Sequence, residues 1–223
     1  MANFTELTTL QKLQGSLVVQ CCDSLVNING FESLRVITGS LVVRYNRNLT
    51  SINGFSTLEN VSSVEISENG NLQSISGFGN LNVITGYLQI DRNIALRVFD
   101  GFSNLQVLGG ETLVLGHALT VLYNPNLTAL SGLRDLSTIN YGTVHIEGNT
   151  QLCYAGHPQW NVGSYPTRPP EGDRGIDWRT KLNTSSVPIW QYNWTSGGFP
   201  TLVVQNNANY SSCGELTLKT MNS

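Results

Sequence analysis

One segment recurs six times, at intervals of about 24 residues, along the first two thirds of this 223-residue chain. The units begin at Leu7, Phe31, Phe55, Phe78, Phe102 and Leu133, with spacings of 24, 24, 23, 24 and 31 residues. They share the approximate pattern L-x-x-I-x-G-x-L-x-I-x-x-N-x-x-L-x-x-I-x-G. A unit of that size cannot bury its apolar side alone. Stacked on copies of itself it can, and the result is a solenoid with one continuous core.

Each unit contains a short alternating segment, such as Leu41-Val42-Val43 or Leu88-Gln89-Ile90. Alternation with period two marks a strand with one buried face, and stacked copies become parallel neighbours about 4.8 Å apart. Gly15, Gly39, Gly86, Gly110 and Gly142 precede the strand, where a corner needs positive φ or close approach without a Cβ. Gly30, Gly54 and Gly77 mark a second corner after Ile28, Ile52 and Ile75. No unit carries a helical stripe. The expected fold is mainly β, a parallel β-solenoid of about six rungs over residues 5–153. The crossover preference makes it right-handed. A short capping helix before Leu13 is the one helix expected, and residues 154–223 form a C-terminal capping segment of the same domain, with a Pro-rich insertion.

After each strand stand Cys22, Asn46, Asn69, Asn93, Asn124 and Asn149. An inward asparagine at a solenoid bend can bond backbone groups of its own turn and of the next, satisfying polar groups that burial would strand. Cys22 opens this ladder with a neighbour on one side only. A small buried thiol suits that place, whereas a reactive thiol needs an activating base and access.

Function classes narrow quickly. A formal charge of −3 gives no basis for nucleic-acid binding, and no apolar run is long enough to span a membrane. The opening MANFTELTTL lacks a charged n-region and a long apolar h-region, so it reads as an intracellular start or as a mature or trimmed form. His117, His145 and His157 are scattered, and no paired-histidine or Cys-x₂-Cys spacing suggests zinc. Phosphate-loop, dinucleotide and nucleophile-elbow motifs are missing. No cofactor is expected.

The outward strand positions are Val18 and Gln20, Val42 and Arg44, Glu65 and Ser67, Gln89 and Asp91, Thr120 and Leu122, and His145 and Glu147. Tyr45 and Tyr123 come directly after two of these strands. Stacked strands make a broad rigid surface suited to extended partners, and Arg44, Tyr45, Leu122 and Tyr123 are the candidate anchors. Glu65 and Asp91, on adjacent rungs, approach a glycosidase pair. No aromatic sugar platform accompanies them, so the chain reads as a non-enzyme.

The last units carry a more specific signal. Asn104 to Ala155 includes NLQVLGG, seven extra residues that bring in GHALTVL, a G-x-V-x-I-x-x-N strand and a closing LCY. This stretch resembles the end of a receptor L domain, the ligand-binding solenoid in ectodomains of the insulin-receptor and epidermal-growth-factor-receptor families. Ile176-Asp177-Trp178 with Arg179-Thr180-Lys181-Leu182, and NNANYSSC ending at Cys213, resemble the segments that close the domain in that family. A long insertion, residues 156–175, separates the two parts. The resemblance implies a Cys153–Cys213 disulfide tying the cap to the last rung, an extracellular or cell-surface location, and non-catalytic binding of a protein ligand or co-receptor through the outward face. A second reading is a structural cell-surface or cell-wall glycoprotein built from similar repeats. Sequons at Asn3, Asn48, Asn60, Asn126, Asn183, Asn193 and Asn209 are consistent with N-linked glycans in either reading. Asn48 and Asn126 are favoured because each sits two residues past the ladder, at a turn.

Overall fold

A computed structural model describes residues 4, 7–109, 117–133, 135–140, 143–152 and 202–205. The strands among them are short and pair only in parallel. They form three sheets; the first four turns contribute a strand to each, and the fifth has a 3-10 segment, Ser131–Leu133, before the next strand of the first sheet.

The first sheet has six strands: β1 (Lys12–Leu13), β4 (Val36–Ile37), β7 (Asn60–Val61), β10 (Val83–Ile84), β13 (Val107–Leu108) and β15 (Thr138–Ile139). The second and broadest has seven: β2 (Leu17–Gln20), β5 (Ser40–Arg44), β8 (Ser63–Ser67), β11 (Leu88–Asp91), β14 (His117–Leu122), β16 (Thr143–Glu147) and β17 (Leu202–Gln205). The third has four: β3 (Asn27–Ile28), β6 (Ser51–Ile52), β9 (Ser74–Ile75) and β12 (Val98–Phe99). The chain is a parallel β-solenoid, as its repeat requires.

Register in the broad sheet obeys the repeat, because a one-residue slip would turn every inward side chain to solvent. Leu17, Leu41, Val64, Leu88, Leu119, Val144 and Leu202 are aligned across the seven strands. Leu41, Val43, Val64, Ile66, Leu88, Ile90, Val121 and Ile146 are fully buried. In the longer fifth unit the pairing with the next strand shifts by one residue between His117 and Leu119, after which the register resumes.

The phenylalanines that open the units form a second spine. Phe31, Phe55, Phe78 and Phe102 stack with ring centroids 5.1, 5.3 and 4.6 Å apart. Phe4 closes the column on Phe31 at 4.9 Å. The short helix expected before Leu13 lies partly outside the described residues; Leu7 is in a 3-10 turn, with Leu7 N–H bonded to Phe4 C=O and Leu10 N–H to Leu7 C=O, and the Phe4 ring packs on the core.

The asparagines form a continuous buried ladder. Each Oδ1 accepts the backbone N–H of the ladder residue one turn earlier: Asn46 from Cys22 at 3.0 Å, Asn69 from Asn46 at 3.1 Å, Asn93 from Asn69 at 3.1 Å, Asn124 from Asn93 at 3.0 Å and Asn149 from Asn124 at 2.9 Å. Each Nδ2 donates to its own strand and to the preceding one, as Asn69 does to Ser67 C=O and Val43 C=O, both at 3.0 Å. Cys22 is the first ladder residue among the described turns; its thiol donates to Gln20 C=O at 3.3 Å and its side chain packs against the core. It is half-buried rather than buried. Cys21 and Cys22 are both free thiols.

β17 adds a strand that the six-unit reading did not assign. It reads LVVQ, the same four residues as β2, and pairs with β16 in register from Val144↔Leu202 to Glu147↔Gln205.

Candidate recognition face

Alternation along β2, β5, β8, β11, β14 and β16 puts two rows of side chains on the outer surface of the broad sheet. One row runs Val18, Val42, Glu65, Gln89, Thr120 and His145; the next runs Gln20, Arg44, Ser67, Asp91, Leu122 and Glu147. All the strand residues named from the repeat therefore share one face.

They are not equally available. Ser67, Asp91 and Thr120, expected as exposed members of the face, are buried, at 5%, 5% and 9% relative exposure. Short side chains on a closely stacked sheet sink beneath longer neighbours. Ser67 donates its hydroxyl to Glu65 Oε1 at 2.9 Å, and the Arg92 guanidinium covers Asp91, with Nη1 2.6 Å from Oδ2. Thr120 lies in register between Gln89 and His145. Val18 is the most exposed apolar member, with Val42 and Leu122 half-exposed.

The charged groups are tied to one another. Arg44 Nε donates to Gln20 Oε1 at 3.1 Å, and its Nη1 stands 3.9 Å from Glu65 Oε1. His145 Nε2 and Glu147 Oε2 are 2.8 Å apart, and the His117 ring lies 6.0 Å from His145 across the adjacent strand. Burial lowers the His117 pKa, and the His145 charge adds to the effect. Tyr87 is pushed up by burial and then by Glu65, with Arg44 opposing. Burial raises the Asp91 carboxyl, Arg92 opposes, and Glu68 and Glu65 raise it further. Asp91 and Glu65 do not form a poised acid–base pair: one is clasped by Arg92 and the other accepts from Ser67. Among the described residues no group of three or more His, Cys, Asp or Glu could hold a metal.

A third column borders the face. Between the last outward residue and the ladder residue of each turn stand Cys21, Tyr45, Glu68, Arg92 and Tyr123, with φ of 55°, 56°, 54°, 50° and 51°. Gly148 holds the same position in the next turn, at φ 72°. The chain must reverse its facing within one residue there, to bring the asparagine inward directly after an outward side chain. A left-handed residue does that, and five turns use a side chain other than glycine for it. Tyr45 and Tyr123 are exposed at this rim. Arg44 lies over the Tyr45 ring at 5.7 Å and Arg92 over the Tyr123 ring at 5.3 Å, within cation–π range. The repeat reading missed Glu68 and Arg92. Their signal was available, since both occupy the repeat position of Tyr45 and Tyr123.

The comparisons with known proteins bear on this face. Residues 60–163 match a family model covering its central and C-terminal rungs.

The match is to the Receptor L domain family.

That family is a non-catalytic binding module, and the β-solenoid geometry of the chain is consistent with the L-domain fold. No curated protein matches the chain. Among the described residues no helix is long and apolar enough to cross a membrane.

Of the favoured sequon asparagines, Asn48 is exposed and Asn126 half-exposed at equivalent corners, where their amides donate to Asp23 C=O at 2.8 Å and Ile94 C=O at 2.7 Å. Asn60 is exposed within strand β7. Asn3, Asn183, Asn193, Asn209, Cys153 and Cys213 lie outside the described residues.

Proposed function

We propose that this L-domain-like solenoid is an extracellular, non-catalytic recognition module that binds a protein ligand or co-receptor through the outer face of its broad sheet. The observation that carries the reading is the rim, where Tyr45 and Tyr123 are exposed with Arg44 and Arg92 stacked against them. Tyr and Arg are the residue types that dominate binding energy at protein interfaces. A parallel sheet with seven strands in register holds them without prior ordering, which lowers the entropic cost of association. The family match supports a ligand-binding role and an ectodomain origin.

The test is a binding screen of the immobilised chain against a panel of secreted and cell-surface ectodomains. Wild type is compared with Arg44→Glu/Tyr45→Ala and with Arg35→Glu, whose side chain bonds Glu59 away from this face. Loss of a partner in the first variant alone supports the reading. Equal binding by all three, or equal loss in both variants, refutes it. Absence of any partner favours the structural glycoprotein instead.

A further inference from the structure

We propose that Asn60 carries an N-linked glycan that covers the outer valine row of the first sheet and leaves the broad sheet as the face open to a partner. The inference rests on the extracellular part of the recognition reading.

The first sheet carries one outward row, in register from Lys12 through Val36, Asn60, Val83 and Val107 to Thr138. The residue after each points inward, and Ile37, Val61, Ile84 and Leu108 are buried. Val36, Val83 and Val107 stand half-exposed in the row. Asn60 lies exposed between Val36 and Val83, where three other units put valine. Asparagine is depleted in strands and valine enriched. A row that needed only polarity would take threonine, as at Thr138, because threonine suits a strand.

No structural duty offsets that cost. The Asn60 N–H bonds Arg35 C=O, but the carboxamide makes no hydrogen bond among the described residues. The other described sequon asparagines differ. Asn48 Nδ2 donates to Asp23 C=O at 2.8 Å, and its sequon hydroxyl, Thr50 Oγ1, donates to Val26 C=O at 3.0 Å. Asn126 Nδ2 donates to Ile94 C=O at 2.7 Å, and its Oδ1 accepts from Gln151 Nε2 at 3.4 Å. Those two amides pin corners of the coil to the preceding turn. Asn60 pins nothing. Ser62 completes its sequon, and the repeat already supplies a hydroxyl there, as Thr38, Ser62 and Thr85 in successive units. One asparagine in place of a valine therefore makes the acceptor.

Neighbouring strands are about 4.8 Å apart, so the first sugar on Asn60 reaches the valines on both sides. A pyranose has an apolar C–H face, and laid over Val36 and Val83 it removes their surface from water. Transfer draws on a lipid-diphosphate-linked oligosaccharide, the donor of the secretory pathway. Asn60 Nδ2 bonds to C1 of the first sugar as the C1–O bond to the diphosphate breaks. The diphosphate leaves with the electron pair, and Nδ2 gives one proton to solvent and keeps the other. The glycan stands on the first sheet, and Tyr45 and Tyr123 at the border of the broad sheet stay exposed.

The test uses the full chain, directed into the secretory pathway of an animal cell line by an added signal peptide. Deglycosylation by a peptide amidase in H₂¹⁸O turns each glycosylated asparagine into ¹⁸O-labelled aspartate. Cleavage after glutamate releases Asn60–Glu65, which holds no other sequon, and mass spectrometry should find the label there. An unlabelled Asn60 overturns the proposal. Asn60→Gln and Ser62→Ala each break the sequon; both should lose the label and bind more of the apolar dye anilinonaphthalene sulfonate. Enzymatic removal of the glycan from folded wild type should raise dye binding too, a readout independent of either variant's folding. Unchanged dye binding in all three overturns the covering role. If Asn60 is unlabelled while Arg44→Glu/Tyr45→Ala still abolishes a partner, this inference fails and the recognition reading stands. If Asn60 is labelled and that double variant changes nothing, the recognition reading fails and the glycan site stands.

Discussion

Replacing Asn69 by alanine tests whether the ladder or the apolar core holds the turns in register. Asn69 is fully buried and near the middle of the ladder. Its Nδ2 donates to Val43 C=O and Ser67 C=O at 3.0 Å and to Asn93 Oδ1 at 3.2 Å. Its Oδ1 accepts from Asn46 N–H and Asn46 Nδ2, both at 3.1 Å. Not all five bonds count alike. Asn46 Nδ2 keeps Val19 C=O and Arg44 C=O, and Ser67 C=O keeps the Tyr45 N–H. The Asn46 N–H loses the acceptor it has, and Val43 C=O loses its side-chain donor. An orphaned buried group costs about 1–3 kcal/mol, so the substitution should cost about 3 kcal/mol. That is a large share of the roughly 5–15 kcal/mol by which a domain is stable.

Cys22→Ala is the control at the end of the ladder. The Sγ hydrogen bond to Gln20 C=O and part of a half-buried packing contact with the core are lost, and the expected cost is about 1 kcal/mol. Urea unfolding followed by circular dichroism measures both, with m-values compared to detect any loss of a single transition in a repeat structure. If Asn69→Ala costs no more than Cys22→Ala, the ladder is ornament on a core that sets the register alone, and the reasoning is wrong.

Other outcomes can be stated from the same structure. Phe78→Ala, in the middle of the aromatic stack, should cost about 3–5 kcal/mol, while Phe78→Leu, which keeps most of the apolar volume without the ring, should cost less; equal costs would show that filling the volume recovers nothing and that the ring itself is required. Asp91 has a folded pKa above its ordinary value, so the folded state holds its proton more tightly than the unfolded state. Its contribution to stability is greatest at pH below the ordinary aspartate range and is lost as pH rises through the folded value. Asp91→Asn should flatten that part of the stability profile, and an unchanged slope would assign it to other groups. Thiol titration under denaturation without reductant should find two thiols, Cys21 and Cys22; four would remove the Cys153–Cys213 bridge.

Much of the architecture is already present in the order of residues. Leucine, valine and isoleucine at period two within each unit, and asparagine or cysteine at a fixed offset, suffice for a parallel solenoid. Side-chain facing in a strand depends only on parity, and in-register stacking only on the equality of repeats. The same parity, read along the sequence alone, places Val18, Arg44, Gln89 and His145 on one face. What parity cannot decide is depth. Ser67, Asp91 and Thr120 point outward yet are buried, because exposure depends on the length of side chains in the turns on either side, brought near only by folding. Nor does local sequence show that Tyr45, Glu68, Arg92 and Tyr123 stand in left-handed backbone, since none of these residue types favours it. The corner between an outward side chain and an inward asparagine imposes that conformation, and it exists only once the turns are stacked. The return of LVVQ as a seventh strand some 50 residues past the last repeat belongs to the tertiary structure for the same reason: it depends on how separate parts of the chain are brought together.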